Sequence, residues 1–242
     1  MQPQRAPVKA VLFDLDDTLW PIAPTIIRAE GLQHDWLAIH APALVARHSR
    51  EDLRARRVDL AQTDPRYRYD LWSLRHTALV EALNSSGEEP AKAAELADAA
   101  MEVFSRERNV VNVFEDVVPG LALLGRHFAL GTISNGFADL EVIGLAGHFR
   151  TSIAAHKLGF AKPDARIFHQ ACAALQVEPH EALYVGDDPL LDVEGAQKAG
   201  LRAVWMNRFD RTLPEAVTPD FHCTNLLELS DWLQTVEKAI AV

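Results

Sequence analysis

Lys9-Ala10-Val11-Leu12-Phe13-Asp14-Leu15-Asp16-Asp17-Thr18-Leu19 begins as an apolar run and breaks off in three carboxylates. The run from Val8 to Phe13 reads as a buried strand. Three acids crowded at the exit of such a strand repel one another and lose hydration, which a fold tolerates when a cation or a reaction makes use of them. Side chains two residues apart on an extended segment share a face, so Asp14 and Asp16 look into one site while Leu15 turns away. The pair reads as a nucleophile and its acid/base partner.

Outward from this stretch the pattern changes twice. From about Pro21 to about Asn112 there is hardly a strand signal, and Ala, Leu, Arg and Glu recur at helical spacing. Helices are expected over Pro24 to His40, Ser49 to Gln62, Tyr69 to Asn84 and Glu88 to Arg108. Breaks fall near Pro42, at Asp64-Pro65 and at Ser85-Ser86-Gly87. From Val117 strands and helices alternate. Strands are expected at Phe128 to Ile133, Thr151 to Ala155, Ala182 to Val185 and Leu201 to Met206, with a last helix from Asn225 to about Ile240. This alternation predicts an α/β fold, a doubly wound parallel sheet with its site at the carboxyl ends of the strands. The strand Val8 to Phe13 belongs to that sheet, so the helical stretch is an insertion. The expected division is a core of 1–19 and 113–242 and a helical domain of 20–112.

Four loops at strand exits carry the polar residues that chemistry would need. Asp14 follows the first strand, Ser134-Asn135-Gly136 the second, and Lys162-Pro163 lies beyond the third. Gly186-Asp187-Asp188-Pro189-Leu190-Leu191-Asp192 follows the fourth. An aspartate after a strand is commonly a turn or a helix cap, and a Ser-Asn-Gly loop or a Lys-Pro pair alone says little. Their joint occurrence, in order and each at a strand exit, points to phosphoryl chemistry. Asp14 is then the nucleophile, and Asp16 protonates the leaving oxygen and later activates water. Ser134 and the amides near Asn135 suit phosphate oxygens, and Lys162 offsets the charge of the transition state. Carboxylates and carbonyls suit Mg²⁺, supplied here by Asp14, Asp187 and the backbone carbonyl of Asp16, with Asp192 holding a water behind them.

These residues resemble the haloacid dehalogenase (HAD) superfamily. Its Asp-x-Asp-x-Thr motif is matched by Asp14-Leu15-Asp16-Asp17-Thr18, its strand-ending Ser or Thr by Ser134, its Lys by Lys162, and its Gly-Asp with a further Asp by Gly186-Asp187 and Asp192. The resemblance covers the whole chain and implies a Rossmann-like core with an inserted α-helical cap, Asp14 as nucleophile, Asp16 as general acid/base, and Mg²⁺ dependence. Thr18 and Asp192 are expected to support the ligands from behind. Dehalogenating members lack the second carboxylate, because halide leaves without a proton. Asp16 therefore favours a phosphatase acting on a small phosphorylated metabolite. The alternatives are a 2-haloacid dehalogenase or a phosphomutase. A non-enzymatic binding protein would be expected to have lost Asp14 or Asp187.

Composition excludes other classes. The 242 residues are 48% hydrophobic and 24% charged, as in ordinary globular proteins. The formal charge of −10 lacks the basic footprint that a nucleic-acid polymer requires. No stretch reads as a signal peptide or a membrane span, so the expected location is cytoplasmic. Cys172 and Cys223 are expected to be reduced thiols. The arginines 47, 50, 54, 56 and 57 are interspersed with Glu51, Asp52 and Asp59 and read as a solvated helix face. Arg66-Tyr67-Arg68-Tyr69 is either a patch for a sugar or base or a plain connection. Trp20 either lines the entrance or packs.

Overall fold

All four residues of Ala10–Phe13 are buried, which requires cover on both faces and neighbours on both edges. The computed structural model describes residues 6–240, without the side chains of 237–240. In chain order it runs β1 (Ala10–Phe13), α1 (Ile22–His40), α2 (Pro42–Arg47), α3 (Arg50–Ala61), α4 (Leu71–Ser85), α5 (Pro90–Arg108) and α6 (Val117–Leu124). There follow β2 (Ala129–Ser134), α7 (Leu140–Ile143), β3 (Thr151–Ala154), α8 (Ala155–Leu158), α9 (Ala165–Leu175), β4 (Ala182–Gly186), α10 (Gly195–Lys198), β5 (Arg202–Met206), β6 (Phe221–Cys223) and α11 (Leu226–Ile240). Two compact units result, Met1–Pro21 with Asn112–Asn135 and Gly144–Val242, and Ile22–Val111 with Gly136–Ile143.

The first unit is a Rossmann-like α/β core. Its described strands form a six-stranded sheet in the order β3-β2-β1-β4-β5-β6, and every pair is parallel. Ala10 pairs with Ala129 on one side and Ala182 on the other, which sets the carboxyl ends of β1, β2 and β4 side by side. The order reverses direction beside β1, the place where open α/β sheets build their sites. Helix α9 buries Ile167, Phe168, Ala171 and Cys172 on one stripe, and Asp164 caps its start by accepting the Arg166 N–H. Helix α6 meets α11 at Gly120, where a Cβ would fall 2.4 Å from that of Leu226. The three-residue strand β6 escapes the sequence pattern because it is too short to show a period.

The second unit is a helical bundle with its own core. Ala29, Leu37, Leu44, Leu83, Ala97, Met101 and Phe104 are all fully buried, and the small residues let the helices approach closely. Pro42 opens α2 as well as ending the preceding helix, since its missing N–H is one that a first helical turn leaves unbonded anyway. Ser49 starts α3 with a reciprocal cap to Asp52. Residues 136–143, which the sequence pattern assigns to the core, cluster with the helices. Phe137 packs on Phe104 with ring centroids 6.2 Å apart, and the Asp139 N–H donates to Asn109 Oδ1 at 3.0 Å. Tyr67 is buried and donates to Thr77 Oγ1, so it is a packing residue of this unit.

Both cysteines are free and buried, which pushes their thiols up to about 11 for Cys172 and about 12 for Cys223. Among the described residues no helix is long and apolar enough to cross a membrane.

Candidate active site

Asp14 stands one residue past β1, where its N–H still donates to the Val185 carbonyl of β4 at 2.8 Å. Its carboxylate accepts from Lys162 Nζ at 2.6 Å. The same ammonium donates to Asp192 Oδ1 at 2.7 Å and to Tyr184 Oη at 3.0 Å. All three of its N–H bonds are therefore used, and the Tyr184 O–H donates to the Ile133 carbonyl at 3.0 Å. Burial drives an ammonium towards neutrality, but the charges of Asp14 and Asp192 outweigh it and hold Lys162 well above its usual range. Asp14 is also raised well above the usual carboxylate range. Burial is the chief cause, Lys162 opposes it, and Asp192 and Asp187 add to it.

Lys162 is placed by Asn135. The Asn135 amide donates to the Lys162 carbonyl at 3.1 Å and accepts the Lys162 N–H at 2.9 Å. The Asn135 side chain is thus engaged by the lysine backbone, and its main-chain N–H is left for an anion. Ser134 is buried at the end of β2.

The Gly186-Asp187 step has a steric reason. A Cβ on Gly186 would lie 2.3 Å from Asp192 Oδ2, so only glycine lets Asp192 close onto the strand end. The second oxygen of Asp192 accepts the Asp188 N–H at 2.9 Å. Asp188 caps the following turn by accepting from Leu190 and Leu191. Asp187 is fixed through its carbonyl, which accepts from Trp205 Nε1 at 2.8 Å.

Carboxylate oxygens of Asp14, Asp187 and Asp192 lie within 4.8 Å of one another. Such hard oxygen donors fit Mg²⁺. The Asp16 carboxylate is outside this group. Burial first, then Asp192 and Asp17, pushes Asp187 up to about 7, against the pull of Arg211.

Three participants carried no sequence signal of this role. Trp20, fully buried, donates to Asp16 Oδ1 at 2.8 Å and so packs and orients the second carboxylate. Tyr184 is one apolar-strand residue among several, and only the fold sets it beside Lys162. Arg211 bridges Asp187 Oδ2 at 2.8 Å and Asp17 Oδ2 at 3.1 Å. The turn that presents it is closed by Asn207, which bonds the Arg211 N–H and carbonyl. Asp17, with φ of 59°, shapes the turn and anchors this arginine. Thr18 is buried beside this turn. Its Oγ1 is buried without a hydrogen-bond partner among the described residues, and its carbonyl accepts from Arg208 Nε at 3.0 Å.

Residues 8–200 match the family model of the haloacid dehalogenase-like hydrolases, and the chain belongs to that family and is a hydrolase. It is 32% identical to the 5-amino-6-(5-phospho-D-ribitylamino)uracil phosphatase YigB of Escherichia coli, over 82% of this chain and 83% of that one. It is 35% identical to the phosphoserine phosphatase of Thermus thermophilus, over 88% and 80%. The crystal structure of a 2-haloacid dehalogenase from Pseudomonas syringae pv. Tomato superposes with a TM-score of 0.89 and 39% identity, covering 95% of this chain and 99% of that one.

Proposed function

We propose that the protein is a Mg²⁺-dependent phosphatase that hydrolyses a small phosphomonoester through an aspartyl-phosphate. One observation carries this reading. Asp16 places a second carboxylate two residues after Asp14, held by Trp20 Nε1 at 2.8 Å. An ester oxygen leaves as an alkoxide and needs a proton, whereas halide does not.

In the proposed reaction an Asp14 oxygen forms a bond to phosphorus as the ester P–O bond breaks, and Asp16 gives its proton to the departing oxygen. Asp16 then takes a proton from water, whose oxygen attacks phosphorus and releases Asp14, leaving free phosphate. Lys162 keeps its charge beside the phosphoryl oxygens throughout, and Ser134 with the Asn135 N–H receives them. Asp14, Asp187 and the Asp16 carbonyl would hold Mg²⁺, with Asp192 behind them. Bound Mg²⁺ supplies charge neutralisation for the phosphoryl group. The helical unit acts as the cap that excludes water.

The test is release of inorganic phosphate across a panel of phosphorylated metabolites with Mg²⁺, with a 2-haloacid alongside. Phosphate release is expected, and halide release with every ester inert would replace this reading with dehalogenation. The likeness to the Pseudomonas syringae dehalogenase makes that control necessary.

A further inference from the structure

Of the five arginines between 47 and 57, Arg47, Arg50 and Arg54 are exposed, as a solvated face requires, while Arg56 and Arg57 are partly withdrawn from water. Arg47 donates to the Ser85 carbonyl and Arg56 pairs with Glu81. Arg54 and Arg57 turn onto Glu30 of α1, where Arg75 of α4 joins them. Glu30 Oε2 accepts from Arg54 at 2.7 Å, while Oε1 accepts from Arg57 at 2.6 Å and from Arg75 at 2.8 Å. Among the described residues no other carboxylate pairs with Arg57 or Arg75. One carboxylate against three guanidinium groups leaves two positive charges, in a chain whose net charge is −10.

These groups wall a cleft of about 490 Å³ whose remaining lining is apolar and includes Ile27, Val58 and Leu74. Ile27 and Val58 are 59% and 57% exposed, apolar surface left facing water. A second cleft of similar size, about 500 Å³, is lined by Arg47 and Arg56 with Asp52, Asp59 and Glu81, and there the acids outnumber the arginines. Of these two clefts, only the one at Glu30 carries a positive excess. Cations withdrawn from water without a matching charge are unfavourable. Arg57 registers this, pulled down to about 10 by burial and by Arg75 despite Glu30.

We propose that this cleft on the helical unit binds a small organic oxyanion, its carboxylate or phosphate seated on Arg57 and Arg75 and its apolar stem against Ile27, Val58 and Leu74. Guanidinium groups present paired N–H donors that match such head groups, and an added anion supplies the charge that Glu30 alone cannot. The site stands independently of the reaction assigned to Asp14.

Arginine side-chain NMR decides it, following the Nε–Hε signals of Arg57 and Arg75 in Mg²⁺-free protein at constant ionic strength. The probes are acetate, hexanoate and inorganic phosphate, titrated separately. Saturable shifts on both arginines are expected, with hexanoate at least tenfold tighter than acetate, since each buried methylene contributes roughly fourfold. The preference between hexanoate and phosphate identifies the head group. Arg57→Gln is expected to abolish the Arg75 response. Flat or non-saturating signals with all three probes, or shifts that chloride reproduces, overturn the site. Equal affinity for acetate and hexanoate overturns the role of the apolar wall. Titration of the unmutated protein is sufficient to support or overturn the site, and the variant serves only to locate it.

Discussion

The two units carry ion clusters of opposite imbalance. In the core, Lys162 and Arg211 pair with Asp14, Asp192, Asp17 and Asp187, two cations against four carboxylates. In the helical unit Glu30 faces Arg54, Arg57 and Arg75, one carboxylate against three cations. Burial without balance shifts each set in its own direction, with Asp187 pushed up to about 7 and Arg57 pulled down to about 10. A purely structural ion pair would be balanced, because an uncompensated buried charge opposes folding. On the readings proposed above, the core cluster would receive a cation and the helical cluster an anion.

The largest expected effect breaks the core cluster at its centre. Asp14→Asn keeps the shape but removes the attacking oxygen's charge, and kcat is expected to fall by about 10⁴-fold or more. Ample phosphate release from that variant would remove Asp14 from the chemistry. Glu30→Gln is the counterpart in the helical unit and leaves three guanidinium groups with no carboxylate. Urea unfolding should show a loss of about 3 kcal/mol, partly restored by the anions that occupy the cleft. An unchanged midpoint would mean that Glu30 balances nothing.

Gly186→Ala pushes Asp192 away from the strand end. A loss of about 2 kcal/mol is expected in the same assay, together with weaker Mg²⁺ binding by calorimetry. Retention of both would show that Asp192 relaxes without consequence.

A pH series sharpens the contrast further. The Asp187 carboxyl, raised to about 7, holds a proton below that pH that Mg²⁺ must displace, so Mg²⁺ affinity should rise with pH and level off above about 7. About tenfold is expected per unit below it. Folding without metal runs the opposite way. The protonated carboxyl is tolerated in the fold, and this stability is lost as pH rises from the unfolded value through about 7. An Mg²⁺ affinity flat between pH 5 and 7 would detach Asp187 from the site.

The smallest effect concerns orientation. Trp20→Phe removes the hydrogen bond to Asp16, worth roughly 1 kcal/mol, so kcat should drop about fivefold with KM nearly unchanged. A shift confined to KM would place Trp20 at the substrate instead.

The core was legible because its determinants are local. Val11, Leu12 and Phe13 with the acids behind them announce a strand and its exit, and the alternation after Val117 specifies a parallel sheet. Gly186, Asp187 and Asp192 could be recognised at a strand end only jointly with the loops at the other strand exits. The helical unit was legible as helices but not as charges. Arg54 and Arg57 look like a solvated stripe in sequence because Asp52 and Asp59 are their neighbours along the chain. Their actual partner is Glu30 on another helix, with Arg75 contributed by a third.

The sequence by itself therefore determined the α/β class, the family and the residues that reach the strand ends, since periodicity and short motifs are properties of neighbouring residues. Tertiary structure alone decided that Asn135 clamps Lys162, that Tyr184 takes its third hydrogen bond, that Arg211 bridges Asp17 and Asp187, and that three arginines share one glutamate. Those are contacts between segments far apart in the chain, and charge acts through space, so no pattern along the chain records them.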